Sequence, residues 1–114
     1  MKAKKRKPVH PGVILEEHYI KPLNLNLQKL AIHLGLARNT LFKVRAGKAS
    51  VTPAIALVLA EAFDTTPQFW LNLQQKHDLW VEAYEKHHEY VRPIFKKGML
   101  LSFPSYTKSK REIA

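Results

Sequence analysis

The side chains best suited to chemistry are Arg38, Asn39 and Thr40, with Lys43 one helical turn further on. A guanidinium is a planar fork that pairs bidentately with O6 and N7 of guanine. A carboxamide does the same with N6 and N7 of adenine. The Thr40 hydroxyl can bond a phosphate, and its methyl can touch that of thymine. Lys43, Arg45 and Lys48 suit phosphates, as does Gln28 further back. Phosphate contacts position a protein on a duplex without reading its sequence. The plain alternative for Arg38, Asn39, Arg45 and Lys48 is solvated surface polarity.

Base edges are reached only if these residues stand at the front of a helix that enters the major groove. The segment Leu27–Ala46 has the pattern of such a helix-turn-helix. Counting Leu27 as first, the fifth residue is Ala31 and the ninth is Gly35. A small residue at the fifth position lets two helices cross closely. Glycine at the ninth takes a positive φ at little steric cost. Leu30, Leu34, Leu36, Leu41 and Val44 supply the apolar contacts between the helices. Asn26 is a predicted N-cap for the first helix of the pair. The second is predicted from about Arg38 to Ala46, ended by Gly47.

Three more helices are predicted around this pair. One runs from about Pro11 to Ile20, with Pro11 in its first turn and Pro22 beyond its end. Thr52-Pro53 opens another, with an apolar stripe of Ile55, Ala56, Leu59, Ala60 and Phe63. Thr66-Pro67 opens the last, which meets no breaker before Arg92-Pro93. That predicts about 25 residues, or about 37 Å at ~1.5 Å per residue. The expected organisation is a basic flexible tail over residues 1–9, a DNA-binding domain over 10–92 and a C-terminal extension over 93–114. The extension is apolar from Ile94 to Tyr106, but Gly98 and Pro104 argue against a continued helix. It either folds back on the core or pairs with a partner. The basic tail either follows phosphates or a minor groove, or simply solubilises the chain.

Composition narrows the function. The 114 residues carry a formal charge of +10. Up to Lys48 there are eleven Lys or Arg against two acids, Glu16 and Glu17; from Ala49 to Gln75 there is no Lys or Arg. Positive charge is thus concentrated around the motif, as a phosphate-binding surface requires. No cysteine is present, so no disulfide or thiolate metal site is expected. Six histidines form no HExxH or Cys/His pattern, and adjacent His87 and His88 cannot converge on one ion. No metal, cofactor or small-molecule substrate is expected. With no phosphate loop or nucleophile elbow, an enzyme is not expected either. No apolar run reaches the roughly 18 residues of a membrane span, so a cytoplasmic protein, nucleoid-associated when bound to DNA, is the expectation.

One reading helix contacts too few bases to find a site alone, and such proteins bind as two-fold dimers. The last helix offers a surface. Trp70, Leu73, His77, Trp80, Val81 and Tyr84 recur at threes and fours, on one face. Phe69 to Leu73 should pack on the chain's own helices. Trp80, Val81 and Tyr84 outrun a four-helix core and are the expected homodimer contacts. Asp78, Glu82, Glu85 and Glu89 share another side. They either hold a basic partner or form a solvated, locally paired face.

Three stretches resemble one family: HPGVILEEHYIKPL at His10–Leu23, the helix-turn-helix, and DTTPQFWLNLQQKHDL at Asp64–Leu79. Together they are similar to the HigA antitoxins, a branch of the XRE-like regulators also labelled VapI. The string PQFWLNLQ followed by HDL is the most specific part. The resemblance implies an all-α, five-helix, lambda-repressor-like domain, here with a long fifth helix and a C-terminal extension. It implies a dimer on a palindromic operator ahead of its own operon, read by Arg38, Asn39 and Thr40. It also implies a toxin partner, a HigB-like mRNA endonuclease, that the protein neutralises. The chain departs from the family in three places. Phe42 stands where relatives have a small polar Ser. Arg45-Ala46 replaces Leu-Asn before the glycine. Ala37 replaces a common Ser, which removes an expected cap. Phe42 either touches thymine methyls or packs. The competing functions are a stand-alone regulator without a toxin and a protein scaffold built on the last helix.

Overall fold

The computed structural model describes residues 6–96 and 99–100. Five helices are followed by a short hairpin. Helix α1, Pro11–Leu15, continues as a π-helical turn, Glu16–Ile20. Then come α2, Leu27–Leu34; α3, Arg38–Arg45; α4, Pro53–Phe63; and α5, Pro67–Trp80, which continues as a second π-helical turn, Val81–Glu85. Strands β1, Phe95–Lys96, and β2, Met99–Leu100, pair antiparallel.

The helices begin where local chemistry places them. The Asn26 side chain accepts from Lys29 N–H at 2.9 Å, Thr52 from Ile55 at 3.3 Å and Thr66 from Phe69 at 3.1 Å. Each thereby satisfies one of the orphan donors of a first turn. Helix α1 is capped by a histidine, whose Nδ1 (His10) accepts from Gly12 N–H at 2.9 Å. Ala37, the cap of α3, offers no side-chain acceptor. Gly35 ends α2 at φ 71°, the left-handed turn expected of it.

The core lies between α1, the α2–α3 pair and the α4–α5 pair. Ala31 is buried at the α2 crossing, with Leu30, Leu34, Leu41 and Val44 buried around it and Leu36 half-buried. Leu15, Leu59 and Trp70 are wholly enclosed. The Trp70 indole N–H donates to Thr65 Oγ1 at 2.8 Å, so this large apolar ring is buried with its one polar atom satisfied. Tyr19 stacks between it and Phe63, at centroid distances of 5.8 and 4.4 Å.

Two expectations need correction. The fifth helix stops at Glu85, not at about Arg92, because Lys86 is extended at φ −99°, ψ 155°. Its amide closes the π turn onto the Val81 carbonyl at 2.9 Å. The residues beyond, from His87 to Pro93, are all exposed. They have no core to pack against, and helices rely on such packing more than on propensity. Glu89 therefore lies off the helix, and the acidic side is Asp78, Glu82 and Glu85. Phe69 is also more open than expected at 38% exposure; Trp70 and Gln74 are the buried members of that turn. The start of the apolar extension forms the hairpin, while Leu101, Phe103 and Tyr106 lie outside the described residues. No helix among the described residues is long and apolar enough to cross a membrane.

Candidate nucleic-acid interface

Helix α3 presents its front to solvent. Arg38 and Asn39 are exposed and Thr40 is half-buried at the first turn, with Lys43 and Arg45 exposed further along. Lys48 is exposed just past the helix, and Gln28 is exposed at the start of α2. The fold thus leaves these polar residues largely open, while Leu41 and Val44 on the other side of the same helix are buried.

Two of these cations already have partners. The Arg38 guanidinium lies over the Phe42 ring, 5.2 Å from its centroid, and that of Arg45 lies 5.8 Å from it. Arg45 Nη1 also reaches Glu16 Oε1 at 3.4 Å. Arg45 is therefore tied to the first helix as well as available to a phosphate. Phe42 is half-buried, with both guanidinium groups lying over its ring.

The back of α3 is held by residues that sequence reasoning did not single out. Gly12 runs against the last turn of α3. A Cβ there would overlap the Val44 carbonyl oxygen and lie 2.7 Å from that of Arg45. Only glycine permits the approach. His10 is buried beside it, near the Ala49 backbone just beyond α3. Gly47 lies against the same ring, and His77 of α5 meets it edge-on at 5.1 Å. Burial pushes the His10 pKa down, aided by the neighbouring His77; Asp78 and the Ala49 backbone pull less strongly the other way. Gln74 completes the hold. It is buried on α5, accepts from Val51 N–H at 2.8 Å and donates to Asp78 at 2.9 Å. The available signals were a glycine inside a first turn and a glutamine on an apolar face.

The acids of α5 are engaged locally. Glu82 pairs with Lys86, and Glu85 accepts from Lys7 Nζ at 2.8 Å. Lys7 also lies over the Trp80 ring, 5.6 Å from its centroid. The end of the basic tail is thus pinned to the end of α5; residues 1–5 lie outside the described residues. Trp80, Val81 and Tyr84 are half-buried within the single chain, with Trp80 packed on Tyr84 at 5.2 Å, and Leu79 beside them is 70% exposed.

No protein-family model matches the chain. It is similar to several characterised and uncharacterised regulators. An uncharacterised HTH-type transcriptional regulator of Haemophilus influenzae is 43% identical over 71% of this chain and 76% of its own length. Antitoxin HigA-1 of Vibrio cholerae is 35% identical over 83% of this chain and 91% of its own. Among solved structures, antitoxin GraA is 37% identical with a TM-score of 0.69, covering 71% of this chain and 87% of that one. GraA has also been solved in complex with its operator. With the fold, the uncovered front of α3 and these likenesses agreeing, the chain belongs to the HigA-type antitoxins of the XRE-like helix-turn-helix family.

Proposed function

We propose that this protein is a sequence-specific DNA-binding antitoxin that represses its own operon and neutralises a HigB-like mRNA endonuclease. The observation that carries the DNA half is the exposed Arg38-Asn39-Thr40 front of α3 in a chain of this family. Arg38 and Asn39 read base edges. Lys43, Arg45, Lys48 and Gln28 hold phosphates. Residues 10–92 form the binding domain. Two copies meet through Trp80, Val81 and Tyr84 and place two α3 helices on a palindromic operator, one DNA turn apart. Neutralisation needs no chemistry: covering the toxin's active surface is sufficient. The work is done in the cytoplasm, at the nucleoid when the operator is occupied.

The test of the DNA half is titration of a duplex taken from ahead of its own operon, beside a scrambled duplex of equal length. Arg38→Ala lowers affinity for the first by roughly tenfold to a hundredfold, the worth of one bidentate pair. It leaves the second nearly unchanged. Equal losses on both duplexes would remove the base-reading role. The toxin half is tested by co-expression with the product of the adjacent reading frame, scoring growth rescue and co-purification. Rescue with a stable complex supports it; the absence of both removes it.

A second reading is a stand-alone regulator without a toxin. It is favoured by one finding. The relatives at 43 and 44% identity are named as uncharacterised transcriptional regulators, whereas HigA-1 is 35% identical. The co-expression experiment separates the two.

A further inference from the structure

We infer that Phe42 is a positioning residue: its ring holds the Arg38 guanidinium ready for a guanine edge before DNA arrives. This rests on the proposal that Arg38 reads a base. Arg38 and Phe42 stand four residues apart on α3, so their side chains share a face. The guanidinium carbon is 5.2 Å from the ring centroid, within the range in which a cation is attracted to an aromatic face. Among the described residues Arg38 makes no ion pair and no side-chain hydrogen bond. The ring is its hold. Arg45 lies further from the same ring and has Glu16 as a second anchor, so it depends on Phe42 less.

The ring stands on a held backbone. Phe42 is half-buried, and the core residues Leu41 and Val44 beside it anchor the helix that carries it. A free arginine loses much rotamer freedom when it docks, whereas one already laid on a shelf loses less. Water leaves the interface when the helix enters a groove, and the cation–ring attraction strengthens as it does. The benefit appears only where the guanidinium meets a matching base edge, so Phe42 raises specific binding and not binding in general. An aromatic contact made directly to a thymine methyl would give a different signature, because it would not depend on Arg38.

A double-mutant cycle separates these cases. The probes are the duplex from ahead of the protein's own operon and its scrambled counterpart, with melting temperature recorded for every variant. Phe42→Leu keeps the bulk and removes the π face. It weakens binding to the first duplex by roughly threefold to tenfold and leaves the scrambled one unchanged. Phe42→Tyr keeps the face and binds like wild type. In an Arg38→Ala background Phe42→Leu has no further effect. A loss that persists in that background means the ring touches DNA itself and overturns the inference. An equal loss on both duplexes, or no loss, also overturns it. A wild-type chain with no preference for its own duplex removes the DNA reading proposed above, and this inference with it.

Discussion

The two ends of α3 are built differently. Its back is clamped: Gly12 lies against the Val44 and Arg45 carbonyls, His10 reaches Ala49, and Gln74 takes the Val51 N–H. Its front has Ala37 without a side-chain cap and Arg38 and Asn39 in solvent. The helix is a cantilever. Groups that would meet DNA are exposed and touch little beyond their own helix, and stability is supplied where DNA would not come. The contrast with α4 and α5 supports this: all three helices bury one side, but only α4 and α5 are capped by threonine. A scaffold helix satisfies its own first turn, whereas α3, in the role proposed for it, can leave that turn to its ligand.

The sharpest way to break the comparison is to push the clamp open. Gly12→Ala would gain about 1 kcal/mol from propensity at an open helix position. Here the new Cβ meets backbone carbonyls that cannot swing aside, so the sign reverses. Overpacking of this kind costs about 1–3 kcal/mol or more. The melting temperature then falls by about 4–8 °C per kcal/mol for a domain of this size. A thermal melt unchanged or raised in Gly12→Ala would show that α1 does not bear on the end of α3.

A milder perturbation of the same clamp is pH. His10 is buried and titrates below 6.5, its ordinary value, with His77 and Asp78 of α5 facing it. Its neutral Nδ1 is the acceptor that caps α1. The unfolded chain therefore takes up the proton first as pH falls. The stability His10 supplies is complete above about pH 6.5 and declines as pH drops from there toward its lowered folded value. Melts between pH 7 and pH 5 should show a steeper fall for wild type than for His10→Asn, which keeps a capping acceptor and does not titrate. Parallel curves would exclude His10 as the titrating group.

These clamps also mark what was legible in the sequence. Local signals carried far. Asn26, Thr52 and Thr66 start helices where their side chains predicted, and Gly35 turns where its position required. Those effects act over a few residues. The clamp contacts join residues far apart in the chain, such as Gln74 and Val51, and no period or propensity reveals them. The family strings contained them unexplained: Gly12 lies in HPGVILEEHYIKPL, and Trp70 and Gln74 in PQFWLNLQ. The structure supplies the reason for each letter. The end of α5 escapes a sequence reading for the opposite cause. No local breaker stands before Pro93, and the helix stops for want of a surface to pack on.

The smallest effect tests the front of the helix and should have the opposite sign. Ala37→Ser restores the side-chain oxygen that α3 lacks at its N-cap, where Ala37 already has the extended backbone of a cap at φ −62°, ψ 141°. Such a cap is worth about 0.5–2 kcal/mol, typically about 1. The melting temperature should therefore rise by a few degrees. The same hydroxyl occupies an amide of the first turn that would otherwise be free to meet a phosphate or an ordered water. Affinity for the duplex from ahead of the operon should therefore stay level or fall slightly, although the protein is more stable. If Ala37→Ser raises stability and affinity together, the uncapped front is a simple deficit and the cantilever view fails at that end. If stability does not move, the first turn of α3 is already held by something other than its cap.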